Sequence, residues 1–155
     1  MSKENTSQVV LAILQNAWSP LYAGDIWPRE SWLKALWRSR SGQRLKNLTD
    51  NYAGNIYFDN TTPIVGETPD SVVPADLNHI TFLLNSVKPT TIVTFGKLAQ
   101  KAIISLNINI CCLFLPHPAC RVVTNQCFRE AAKLLTAGIQ RSVSLCPKGY
   151  ATLQE

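Results

Sequence analysis

Gln8–Gly24 reads QVVLAILQNAWSPLYAG, and the fold turns on its first half. Gln8 to Leu14 is an almost unbroken apolar, β-branched run, closed by two amides and then by Trp18, a proline and small turn residues. A run of this length without alternation predicts a strand buried on both faces, as in a parallel sheet. Ligands of open α/β sheets sit beyond the carboxyl ends of the strands. Gln15, Asn16 and Trp18 therefore stand at the mouth of the expected site.

Working outward, the same grammar repeats. Trp32, Leu33, Leu36 and Trp37 fall at helical spacing from about Arg29, and Ser41 is the expected cap of a second helix carrying Leu45 and Leu48 inward. Asn55–Asn60 (NIYFDN) is the expected second strand, again ending in polar groups, Asp59 and Asn60. Ala75–Val87 carries an apolar stripe stopped by Pro89, Thr90–Phe95 is a third strand, and Lys97–Leu106 is a helix after Gly96. Asn109–Leu115 is the fourth strand and runs into PHPACR; Asn125–Gln140 is the last clear helix. Strands alternating with helices predict one α/β domain over 1–155, a three-layer α/β/α sandwich around a four-stranded parallel sheet. Residues 1–7 and 142–155 read as loosely ordered tails.

Composition limits the function classes. Hydrophobic residues make up 46% of the 155 and charged residues 16%, which suits a packed globule and argues against disorder. The net charge of +5 suits an anionic partner or simply a solvated basic surface. No apolar run reaches membrane-span length, and MSKENTS is unlike a signal peptide, so a cytoplasmic monomer with no membrane partner is the expectation. The five cysteines form no CxxC pair and read as reduced thiols; Cys120, Cys127 and His117 have poor zinc spacing, and no metal or cofactor is expected. Neither GxGxxG nor a Walker loop is present. Between Arg29 and Lys46, Arg29, Lys34, Arg38, Arg40, Arg44 and Lys46 face Glu30 alone and are interleaved with Trp32 and Trp37 after Trp27. Charge for phosphates and flat rings for bases make a nucleic-acid groove; an amphipathic helix with core tryptophans and a wet cationic face fits the same residues.

Taken in order, QNAW, SRSGQRL, YFDN, IVTFGKLAQKA and LPHPACR resemble the motifs of the uracil-DNA glycosylase superfamily, over about Val9 to Leu135. RSGQRLKNL and the pair TFGKLAQKA/HPACR are most similar to the branch whose thermophilic members carry an iron–sulfur cluster. No cysteine precedes Cys111, so no cluster is expected. The resemblance implies a monofunctional DNA glycosylase for DNA repair, flipping out a uracil or modified pyrimidine and hydrolysing its N-glycosidic bond. It implies that Asn16 orients the attacking water, Gln15 contacts a base carbonyl, Trp37 stacks on the flipped base and Asn60 reads its Watson–Crick edge. His117 would donate to the departing base. Arg38, Arg40, Ser41 and Arg44, with Pro118, Cys120 and Arg121 of the PHPACR loop, would meet DNA.

The departures bear on substrate. Leu14 and Ala17 replace the family's usual Gly and Pro around the first motif, Trp18 stands as a base contact or pocket wall where smaller or Tyr-like residues are common, and Ala119–Cys120 replaces Ser–Pro. An amide at position 16 cannot deprotonate water, which leaves Asp59 as an alternative base. It also leaves open a catalytically silent member that binds nucleic acid, a protein or a free base. A nucleoside hydrolase is a third reading, against which the basic Arg29–Lys46 section speaks.

Overall fold

The computed structural model describes residues 8–153. The run that opens the chain becomes β1 (Val10–Leu14), five buried residues in succession. After it come α1 (Arg29–Arg38), α2 (Arg40–Thr49), β2 (Ile56–Asn60), α3 (Leu77–Val87), β3 (Thr91–Phe95) and α4 (Lys97–Ser105). The chain ends with β4 (Cys111–Leu115), α5 (Asn125–Ala137), β5 (Val143–Leu145) and β6 (Ala151–Leu153). The strands form one sheet in the order β2-β1-β3-β4-β5-β6. The first five pair in parallel, and β6 runs antiparallel to β5.

Strand residues alternate between two cores, as the pleat requires. Val10, Ala12, Leu14, Val93, Phe95 and Leu113 pack against Trp32, Leu45, Leu48, Phe128 and Leu135 of α1, α2 and α5. Leu11, Ile13, Ile92, Cys112 and Phe114 pack instead against Ile80, Leu83, Ala99 and Ile103 of α3 and α4. Helices thus cover both faces, and β1 and β3, wholly buried, can be apolar throughout. The chain leaves β1 toward α1 on one face and leaves β3 toward α4 on the other. Adjacent strands whose exits diverge open a crevice at their carboxyl ends, where α/β proteins bind ligands.

Several expectations need correction. The sheet has six strands rather than four, because residues 142–153, read as a loose tail, carry β5 and β6. Three-residue strands are too short to show a period, although Val143 and Leu145 are buried. Residues 1–7 lie outside the described residues. The cap of α2 is Ser39, whose hydroxyl accepts from the Gly42 N–H at 3.0 Å, so Ser41 lies inside the helix. Helix α3 starts at Leu77 because the Asp76 carboxylate accepts from the backbone N–H groups of Asn78 and His79. Helix α5 stops at Ala137 because Gly138, at φ 82°, takes the left-handed region.

One glycine is fixed by packing. A Cβ on Gly42 would lie 1.9 Å from the Leu36 carbonyl oxygen, so the close turn from α1 into α2 admits no side chain there.

Candidate functional site

Asn60, Asn16 and His117 all lie at the carboxyl edge of the sheet, at or just beyond the ends of β2, β1 and β4. Three strand spacings of about 4.8 Å separate β2 from β4, so their backbones stand roughly 14 Å apart. Two hollows occupy this edge: Asn60 opens into one and His117 into the other.

The first, of about 220 Å³, is walled by Trp27, Pro28 and Trp32 and floored by Asp59, Asn60 and Thr62. Asn60 is only 6% exposed, yet its side-chain amide has no hydrogen-bond partner among the described residues. An unpaired donor and acceptor side by side on an apolar-walled cavity suit a planar ring carrying the complementary pair. Trp27 is held by stacking on Tyr22, with centroids 5.3 Å apart.

Asp59, one residue earlier, is closely tied. Its Oδ1 lies 3.2 Å from Nε2 of His79 and accepts from the Asn60 backbone N–H at 2.7 Å, and its Oδ2 is 3.9 Å from Nε of Arg29. Arg29 also donates to the Phe58 carbonyl and lies 3.9 Å over the Tyr57 ring, covering the open edge of β2.

Asn16 serves the scaffold. Its Nδ2 donates to the Ala17 carbonyl at 2.9 Å, and its Oδ1 accepts from the Val73 N–H at 3.2 Å, which ties the long loop after β2 to the end of β1. The Gln15 carbonyl likewise accepts from the Thr61 hydroxyl at 2.6 Å. Trp18 is 46% exposed and borders neither hollow, and its backbone bridges to Gly66. Trp37 sits edge-on to Phe58 and lines a separate groove of about 500 Å³ beside β2, with Leu33 and Tyr57. The aromatic walls beside Asn60 are Trp27 and Trp32 instead.

The second hollow, of about 400 Å³, has His117, Gly96, Lys97, Phe114 and Leu145 among its lining. The Ala119 N–H donates to Nδ1 of His117 at 3.0 Å, so Nδ1 is the acceptor and the proton of the neutral ring sits on Nε2. Burial pushes the His117 pKa below the usual imidazole value, which keeps the ring neutral. The result is a fixed neutral N–H donor. Gly96, at φ 92°, lets the imidazole lie close, since a Cβ there would meet His117 Cβ at 3.3 Å.

Arg44 holds this loop. One guanidinium nitrogen donates to the carbonyls of both Pro118 and Cys120, at 2.9 and 3.0 Å. Arg38, Arg40 and Arg121 are exposed, Ser41 and Cys120 are half-buried, and Pro118 is buried. The buried thiols of Cys112 and Cys127 are pushed up to about 11 and about 12 by desolvation, which suits packing groups. Among the described residues no three His, Cys, Asp or Glu side chains cluster as metal ligands, so His117, Cys120 and Cys127 do not form such a site. No helix among the described residues is long and apolar enough to cross a membrane.

His79 and the walls formed by Trp27 and Trp32 complete the Asn60 cavity. The sequence showed the tryptophans as part of a basic, aromatic section. Nothing in it marked His79, which sits in the first turn of α3 and meets Asp59 only through the fold.

No protein-family model matches the chain, and no curated protein does.

Proposed function

We propose that the protein is a DNA glycosylase that takes a uracil or modified pyrimidine, flipped out of DNA, into the Asn60 cavity and hydrolyses its N-glycosidic bond. The observation that carries this reading is the nearly buried Asn60 amide, unpaired and facing a cavity between tryptophans. A pyrimidine edge offers the matching acceptor and N–H, and the indoles offer flat walls. In the neighbouring hollow at the same sheet edge, neutral His117 presents a fixed Nε2–H, a donor of the kind that suits negative charge on a departing base. The five motifs that resemble the uracil-DNA glycosylase superfamily point the same way.

The test is base release from a panel of oligonucleotides carrying different modified bases, in single and double strands. At least one pyrimidine should be released, and Asn60→Ala should lower discrimination among bases more than the rate on the best one. No release from any member of the panel would remove the enzymatic reading.

A second reading has its own observation. Each end of the Asn16 amide makes a bond to backbone, so the residue that the resemblance would use for water is engaged in holding the scaffold. A base-binding module without hydrolysis follows if no other group handles the water.

A further inference from the structure

We infer that His79, oriented by Asp59, is the general base for the attacking water, in place of Asn16; this rests on the reading of the Asn60 cavity as a base pocket. A carboxylate only accepts hydrogen bonds, so the 3.2 Å contact with Asp59 Oδ1 places the proton of neutral His79 on Nε2. Nδ1 is then left with its lone pair, and among the described residues it has no hydrogen-bond partner. Both side chains are 16% exposed, and both residues line the cavity that Asn60 floors. Backbone on both sides fixes the pair. Asp59 is the penultimate residue of β2 and accepts from the Asn60 N–H, and His79 is set in the first turn of α3 by the Asp76 cap. An acceptor nitrogen held by a second group that is itself held is the arrangement of a positioned base.

The step balances. The water oxygen bonds to the anomeric carbon of the sugar as the carbon–nitrogen bond breaks, its electron pair leaving on the ring nitrogen of the base. The water proton passes to Nδ1 of His79, and the imidazolium is paired with the Asp59 carboxylate. The departing base takes a proton from solvent, and His79 returns its own to solvent. The charged and titratable groups facing His79 are Asp59 on β2, Arg29 of α1 acting through Asp59, and the Asp76 carboxylate at its backbone N–H.

The test compares wild type, His79→Gln and Asp59→Asn in single-turnover base release across pH, with binding of free uracil, thymine and cytosine measured on the same proteins. Gln keeps an N–H for Asp59 and removes the base. Wild type should lose rate as pH falls. His79→Gln should release base about 100-fold more slowly or worse, with that pH dependence gone, while free base still binds measurably. Asp59→Asn should be slowed in the same sense. A His79→Gln protein that binds free base and keeps the wild-type rate and pH profile would overturn the inference while leaving the pocket intact. Free-base binding with no release by wild type would overturn it too. Failure of all three bases to bind wild type would instead fall on the reading of the cavity.

Discussion

At the scale of single residues, the carboxyl edge separates groups that open into a hollow from groups that hold the scaffold. Asn60 and His117 belong to the first kind. If His117 stabilises the leaving base, His117→Ala should slow single-turnover release by two to three orders of magnitude, about 3–4 kcal/mol of barrier. Its burial has a second consequence. The folded protein binds fewer protons at this ring than the unfolded chain, so stability rises with pH up to the ordinary imidazole value of about 6.5. It falls as pH drops below that value, and thermal melts should show His117→Gln shedding that component. Asn16 belongs to the second kind. Asn16→Ala removes two hydrogen bonds and should cost about 1–2 kcal/mol in denaturant unfolding. Asn16→Asp brings a carboxylate oxygen against the Ala17 carbonyl in place of an N–H, so it should destabilise the protein rather than speed hydrolysis.

At the scale of elements, α2 matters most to the site, because it both packs the core and carries the arginine that grips the His117 loop. Arg44 reads in sequence as one more phosphate contact, whereas the fold turns it inward to two carbonyls. Arg44→Ala should therefore lower stability by about 2 kcal/mol and slow base release, while leaving the salt dependence of DNA binding close to wild type. Gly42→Ala should destabilise by at least 1–3 kcal/mol, since its methyl would overlap the Leu36 carbonyl and α1 and α2 would have to part. The four long strands and five helices are legible from periodicity because each buries a continuous stripe or run. β5 and β6, three residues each, leave no such trace. The Asp59–His79 contact is illegible for another reason: spacing reports which way a side chain faces, and only the crossing of β2 and α3 says what it meets. Ser39 and Ser41 are both good caps in isolation, and the turn after Leu36 decides between them.

At the scale of the whole molecule, a parallel sheet with diverging exits after β1 and β3 gathers polar groups from separate parts of the chain along one edge. Strand ends ordered β2-β1-β3-β4 set Asn60 and His117 on either side of that crevice. On the proposed function, the net charge of +5 would guide phosphates to this edge, with Arg38, Arg40 and Arg121 exposed to provide it. Reversing the charge of Arg38 and Arg40 together should weaken DNA binding and reduce the slope of log affinity against log salt by about two; unchanged affinity would make the basic section a solvated face. The central claim is that the Asn60 cavity takes a pyrimidine edge. It is tested most directly by nitrogen–proton NMR of the side-chain amide and indole signals during titration with free uracil, thymine and cytosine. At least one base should shift the Asn60 amide and the Trp27 and Trp32 indole signals together, leaving Trp18 in place. An Asn60 amide unmoved by all three bases at saturating concentration would contradict it.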